Sequence, residues 1–476
     1  MSARSSRPVQ PGRPSRTKAA ASLLLAMALA GCTSLAPPYE RPAAPVASAF
    51  PGAPGSPEGA PAAAAIDWQQ FFGDARLKQL IGLALQHNRD LRLAALNIEQ
   101  ARAQFDIRRA DQWPSVNAGL SGSRQPTAAG GISSSYSAGI LVTAYELDFF
   151  GRVRSLGEAA LAQYLATEEA RRAAQISLVA AVANSYLALQ GDEQLLDVTR
   201  QTLATRETSQ RLIKLRFDHG ASSQIDVHQA QSLLESARVA LAQLTRQRAL
   251  DENVLVLLVG QALPGDLLSA VPVTAAAPLP ELAAGLPSAV LARRPDVRQA
   301  EQQLMAANAS IGAARAAFFP KISLTGSLGS ASSELSGLFK DGSFAWSFAP
   351  QLLQPLFDAG RNQANMTLAE VNRSIAVAQY ERAIQSAFRE VADALAGRAT
   401  LGEQLRAQQA QVLAEQARYQ LADLRYRHGA SSHLDLLDAQ RSLFAAQQAE
   451  AQVQVQYLQN LVTLYRVLGG GWTPAG

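Results

Sequence analysis

Asp435 and Asp438 stand six and nine positions after Gly429. On a helix, a spacing of three places both carboxylates on one face. Two acids on one face attract cations, and like charges raise each other's pKa. Asp226 holds the place of Asp435 in an earlier copy of the same stretch, where Gln229 replaces the second acid. A second reading stays open beside this one. Ser222, Ser223, Ser431 and Ser432 precede the acids, and Ser and Asp suit the first turn of a helix. Four of the five histidines, His219, His228, His428 and His433, gather around the same stretches. No carboxylate or cysteine spacing completes a metal set with them, so they are read as solvated side chains that protonate below about pH 6.5. There is no phosphate-binding loop, no G-x-S-x-G and no H-E-x-x-H. The chain is therefore not expected to be an enzyme, and no metal is expected.

Long helices must position these residues. Ala, Leu, Gln, Glu and Arg dominate 74–112, 152–218, 224–259, 287–318, 361–427 and 433–468, all good helix formers, with Pro only at 287 and 295. Gly191, Gly397 and Gly402 mark the expected bends or breaks. Leu437, Phe444, Ala451, Leu458 and Tyr465 recur every seven residues, as do Val227, Leu234, Leu241 and Leu255 with Arg248 interrupting. That spacing is a coiled-coil-like seam.

Two windows switch to period two. In 114–149, Val116, Ala118 and Leu120, then Tyr136, Ala138, Ile140 and Val142, alternate with Ser, Gly, Thr and Asn. In 320–357, Ile322, Leu324 and Leu328, then Phe344, Trp346 and Phe348, do the same. Each window reads as a hairpin of two strands with one apolar and one polar face. Leu215–Asp226 matches Leu424–Asp435 at eight of twelve positions, including a doubled His-Gly-Ala-Ser-Ser. Trp113-Pro114 pairs with Phe319-Pro320, and Gly151-Arg152 with Gly360-Arg361, giving a period of 206 to 209 residues. A period this long means that a whole helix–hairpin–helix unit is duplicated.

The chain has 476 residues, 48% apolar and only 6% aromatic, with one cysteine and a formal charge of +4. Five of its 43 basic residues lie in 1–31, which has no acid; beyond it 38 basic face 39 acidic residues, so the charge is no argument for nucleic acid. Arg4, Arg7, Arg13, Arg16 and Lys18 precede an apolar run from Ala19 to Ala30 that is short for a membrane span. Leu29-Ala30-Gly31-Cys32 closes it and resembles the lipobox of bacterial lipoproteins. That resemblance implies cleavage before Cys32 and covalent acyl chains, palmitate among them, on that residue. Thr33, rather than the Asp of lipoproteins kept at the inner membrane, implies the outer membrane as destination.

Ten-residue alternating strands suit an outer-membrane barrel. Four strands cannot close one, because an open edge in lipid leaves backbone groups unpaired. Either several chains share a barrel, or the hairpins pack on helices in a soluble domain.

These residues resemble the TolC-like outer membrane factors, specifically the lipoprotein branch serving tripartite, RND-type multidrug efflux pumps. The likeness runs from Leu29 to Gly470. It is carried by Asp67-Trp-Gln-Gln-Phe-Phe-Gly-Asp74, Leu286-Pro-Ser, Arg293-Arg-Pro-Asp-Val-Arg-Gln-Ala-Glu301, Ala306 through Pro320, and the doubled turn. It implies a homotrimer with a twelve-stranded β-barrel in the outer membrane of a Gram-negative bacterium and a long α-helical barrel across the periplasm. Each chain is then mainly α, with four membrane strands. It implies that the turns Gly220-Ala221-Ser222 and Gly429-Ala430-Ser431 form the periplasmic tip, where an adaptor (membrane fusion) protein and an inner-membrane pump connect. It implies that Asp435, Asp438, Asp226 and Tyr426 line the tip entrance, and that Phe344, Trp346 and Phe348 meet membrane lipid.

The expected organisation is a signal peptide, 1–31; a lipid-anchored tether without a core, 32–65; and a first repeat, 66–260, with a helical hairpin 152–259. A linker, 261–286, leads to a second repeat, 287–470, with a helical hairpin 361–468, and a tail, 471–476. The function implied is a passive exit duct for drugs or other small molecules, without a cofactor beyond the lipid on Cys32. Two alternatives are a duct for type I protein secretion and a coiled-coil scaffold lipoprotein without a pore.

Overall fold

The computed structural model describes residues 34–51, 66–128, 130–265, 267–268, 282 and 291–472. The signal peptide, Cys32 and most of the tail and linker lie outside them. Twelve elements follow in order: α1 (Trp68–Phe71), α2 (Ala75–His87), α3 (Arg89–Ala110), β1 (Val116–Pro126), β2 (Ile132–Leu147), α4 (Arg152–Asp218) and α5 (Gln224–Val259). Then come α6 (Pro295–Ala316), β3 (Lys321–Ser332), β4 (Phe344–Leu353), α7 (Arg361–Arg427) and α8 (His433–Val467). The chain divides into two units.

The first unit comprises residues up to 41, 100–164 and 302–378. Its four strands form one antiparallel sheet in chain order, so β1 and β4 are edges. Ala118, Ile140, Leu328 and Trp346 lie opposite one another across the four strands, and so do Leu120, Ala138, Ser330 and Phe344. Opposed residues of antiparallel strands share a face, so the period-two apolar set falls on one side. The other side carries Ser121 bonded to Ser137 at 2.8 Å and Ser327 bonded to Ser347 at 2.7 Å. A bulge at Thr143-Ala144 interrupts the β2–β3 register, and the Ala144 amide donates to Thr325 Oγ1 at 3.3 Å. Arg152, at the start of α4, grips Glu146 at the end of β2 with two bonds of 2.7 and 2.6 Å.

Where it is described, the tether lies against α6. Asn308 of α6 donates to the Pro37 carbonyl at 2.8 Å and Arg315 to the Leu35 carbonyl at 3.2 Å. A side chain at Gly312 would meet Ala36 at 2.8 Å, so small residues let the strap lie against α6.

The second unit comprises 42–99, 165–301 and from 379 onward. Its core joins Phe71, Phe72, Leu80, Ile81, Val182, Leu255, Val391, Leu464 and Tyr465. The Asp67–Asp74 motif explains itself here. Asp67 caps α1 and Asp74 caps α2, the latter also accepting from Tyr186 Oη at 2.9 Å. Phe71 stacks on Tyr465 at 3.9 Å, and Tyr465 donates to the Ile66 carbonyl at 2.6 Å. Phe50 stacks on Phe388 at 4.9 Å, so this end of the tether is also packed. Leu267 and Leu282, from the expected linker, are buried in the same core.

Two helix expectations need correction. The stretch 74–112 is split by Asn88, whose side chain accepts from the Leu91 amide at 2.8 Å and starts α3. Gly191, Gly397 and Gly402 cause no break, since α4 and α7 each run 67 residues through them. A Cβ at Gly191 would collide with Val455, and one at Gly397 with Asn460. At 191 and 397 a neighbouring helix approaches too closely for a side chain, so glycine is needed there for packing. The seam residues are buried or half-buried, and Arg248 pairs there with Glu193 and with Glu252.

Candidate gate at the helical turns

Both hairpin turns are built by the same local chemistry. α4 ends as Gly220 takes φ +72°, and α7 as Gly429 takes φ +72°. The Gly220 amide donates to Phe217 O and the Ala221 amide to Arg216 O; Gly429 and Ala430 repeat this with Tyr426 and Arg425. That pair of bonds satisfies the last carbonyls of a helix and requires a left-handed residue, which glycine adopts without strain. Ser223 then caps α5 and Ser432 caps α8, each in a reciprocal box with an acid three residues on. Those acids are Asp226 and Asp435. The doubled His-Gly-Ala-Ser-Ser is thus a stop-and-start device for antiparallel helices.

The acids separate into two roles. Asp226 accepts from the Ser223 amide at 3.0 Å, Ser223 Oγ at 2.7 Å and Ser222 Oγ at 3.0 Å. The Ser223 amide and hydroxyl hold its carboxyl below the usual carboxylate range. Asp435 is exposed while it caps. Asp438 caps nothing. It accepts from Arg441 Nη2 at 2.7 Å and from Arg418 of α7, and these guanidiniums lower its pKa. Within one chain the arginines therefore outweigh the upward shift expected from neighbouring acids.

Tyr426 ties the two halves together. Arg216 of α4 donates to Tyr426 Oη at 2.7 Å and lies 5.0 Å from its ring centroid. His433 packs on the same ring at 5.3 Å. His219, His228 and His428 are solvated, whereas His433 is 8% exposed and neither of its ring nitrogens has a protein hydrogen-bond partner. This corrects the reading of all four as solvated. Burial lowers the His433 pKa, Asp226 opposes that shift and Arg216 reinforces it.

The sign of the pH effect follows. With the folded pKa below the unfolded value of about 6.5, the unfolded ring takes the proton first. The stabilisation is whole above pH 6.5 and declines as pH falls toward the depressed folded value. Amide protection at 216–226 and 426–436, relative to the intrinsic exchange rate at each pH, is therefore expected to fall between pH 7 and 5, and less so in His433→Phe. An equal fall in both proteins would exclude His433 as the cause.

Sequence reasoning missed Arg216, Arg418 and Arg441. Arg441 was legible as an i, i+3 partner of Asp438. Arg418 was legible through the turn, since 418 and 438 are equidistant from 428 and so face each other across an antiparallel hairpin.

The sheet carries the other candidates. Phe344, Trp346 and Phe348 are 69%, 70% and 63% exposed, together with Leu120, Ile140 and Leu328 on the same face. An apolar face this open does not belong to a soluble domain, which would cover it.

Comparison with known proteins converges on one family. The family model described as "Outer membrane efflux protein" matches residues 80–261 and 286–470. A Pseudomonas putida protein named as a probable efflux pump outer membrane protein, TtgC, is 48% identical over 466 residues, 96% of each chain. The crystal structure of a membrane protein from Pseudomonas aeruginosa superposes with a TM-score of 0.87 at 47% identity, covering 92% of this chain and 98% of that one. The open state of the Neisseria gonorrhoeae MtrE outer membrane channel superposes with a TM-score of 0.86 at 41% identity, covering 92% and 99%.

Proposed function

We propose, from the premise that this chain belongs to the outer membrane efflux protein family and is the outer membrane channel of an efflux pump, that three copies close one β-barrel and that Asp435 and Asp438 ring the entrance to its duct. The sheet carries this reading. Its outer strands β1 and β4 have open edges, its apolar face is uncovered, and a lipid-embedded sheet must pair every edge. Four strands from each of three chains make an even-numbered barrel in the known size range. Phe344, Trp346 and Phe348 then face lipid or its interface, where aromatic residues gather.

The duct is passive. Nothing in its described residues supplies fuel, so an inner-membrane pump drives small molecules through it and an adaptor joins the two. The turns Gly220–Ser222 and Gly429–Ser431 are the docking points, because each presents an exposed Gly-Ala pair beside a half-buried serine. Lipid on Cys32 anchors the chain, and the strap over α6 fixes where that anchor starts. Substrate choice lies upstream, in the partner pump.

At rest, two contacts hold the entrance. Arg216–Tyr426 joins the first hairpin to the second, and Arg418–Asp438 joins α7 to α8. Opening requires α7 and α8 to give up the first of these.

Native mass spectrometry of the detergent-extracted protein is expected to find three chains, and liposomes holding it should swell in sugar solutions. A monomer that swells no liposome would overturn the reading and return the scaffold alternative.

A further inference from the structure

The second unit buries one cationic side chain without an acid to balance it. Arg206 of α4 is 4% exposed. Its Nη1 donates to the Leu233 carbonyl at 2.8 Å, and its guanidinium carbon lies 5.1 Å from the Phe444 ring centroid. Its Nε is sealed from solvent and has no partner. Among the described residues no carboxylate pairs with it; Glu207, next in sequence, turns to Arg238 at 3.6 Å. The contrast with Arg294 and Arg248 is instructive, since each of those meets two carboxylates. Burial pushes the Arg206 pKa down, yet a guanidinium keeps its proton in proteins. An unbalanced charge in this setting is strongly unfavourable.

Arg206 borders a cavity of about 140 Å³ between α4, α7 and α8, lined also by Gln201, Thr202, Tyr419 and Gln440. No acid lines it. Gln440 Oε1 is buried with no donor. Amide oxygen and nitrogen are assigned by their surroundings, and turning this amide over offers NH2 to the space instead. The wall then carries a cation, two hydroxyl groups and an amide donor, a set that suits a small anion and repels a metal ion. The volume admits a halide with one or two waters, each taking about 30 Å³ in the liquid.

We propose that this cavity binds a monovalent inorganic anion of chloride size, held by Arg206 with donors from Thr202, Tyr419 and Gln440. The anion completes the charge on α4 and braces it against α7 and α8. Arg206 lies fourteen residues before Gly220, about 21 Å along the helix. The site is therefore apart from Asp226 and Asp435 in the first turns of α5 and α8, whereas Asp438 stands two residues before Gln440 but lines no part of it.

Crystals of the full chain grown with bromide in place of chloride are expected to give an anomalous peak in contact with the Arg206 guanidinium. In detergent, at ionic strength held constant with gluconate, raising chloride from 1 to 100 mM should lift the unfolding midpoint by a few degrees, as binding to the folded state requires. Arg206→Gln should abolish that dependence. If that variant does not fold, Gln440→Leu should raise the half-saturating chloride about tenfold, or ~1.4 kcal/mol. Absence of a bromide peak, a carboxylate of a neighbouring copy in contact with Arg206, or a midpoint indifferent to chloride would each overturn the proposal.

Discussion

Asp438→Ala combined with Asp435→Ala is expected to enlarge the resting conductance of the channel in planar bilayers and to weaken its block by multivalent cations about tenfold, or ~1.4 kcal/mol. Two causes combine. Asp438 is the acceptor that joins Arg418 of α7 to Arg441 of α8, and its loss frees α8 from α7 near the turn. In the proposed trimer, six carboxylates also supply the charge that draws cations into the proposed entrance. Asp435 adds a complication, because its alanine variant also loses the carboxylate half of the α8 capping box while the Ser432 cap remains, at up to about 1 kcal/mol. The pair Asp435→Asn with Asp438→Asn separates these effects, since the amide oxygen can still accept from the cap amide while the charge is gone. Loss of cation block in both pairs assigns it to charge. Wider conductance in the alanine pair alone assigns opening to the cap. Unchanged conductance and block in both would sink the gate. The arginines hold the Asp438 pKa down, so its charge persists from pH 8 to pH 5 and its share of the block should be flat over that range.

Arg294→Met should destabilise the protein more than any change at the turns, by about 3 kcal/mol. Arg294 is buried and donates to Asp296 at 3.0 and 2.7 Å, to Glu390 at 2.9 Å and to the Val467 carbonyl at 3.0 Å. Burial works against its charge and the two carboxylates outweigh it. Methionine fills much of the same volume but leaves two acids facing each other and the α8 terminus without its donor. Asp296 and Glu390 keep some contact with water, which places the loss at the lower end of the range for breaking a buried pair. A fall of several degrees in the unfolding midpoint in detergent is the expected reading. Arg293→Met, at the exposed neighbour, serves as the control. Equal midpoints for the two variants would show that Arg294 is not a keystone. Arg294→Lys should recover only part of the loss, because an ammonium cannot reproduce the planar fork.

The site was partly legible in the chain. Asp226 and Asp435 were readable both as caps and as gate acids, and the structure shows the caps directly. Asp438 was readable as an acid on the same face, but its partners come from across the turn. His433 looked like its three solvated neighbours, and only the approach of α4 and α7 buries it.

What the sequence determined by itself is whatever a few neighbouring residues decide. Period two made the strands and their apolar face, because side chains alternate along a strand. The doubled Gly-Ala-Ser-Ser made the turns, because a left-handed glycine and a serine cap act within six residues. The duplication made the plan of the whole chain. The tertiary structure decided everything that depends on which helices meet. Gly191 and Gly397 became contact points rather than breaks, the tether became a strap on α6, and the Arg-Arg-Pro-Asp stretch became an anchor reaching Glu390 and Val467. Those outcomes pair residues 63 to 280 positions apart, and no local pattern specifies a partner so distant. Packing chooses it, because long helices must fit their side chains together at the density of a protein interior.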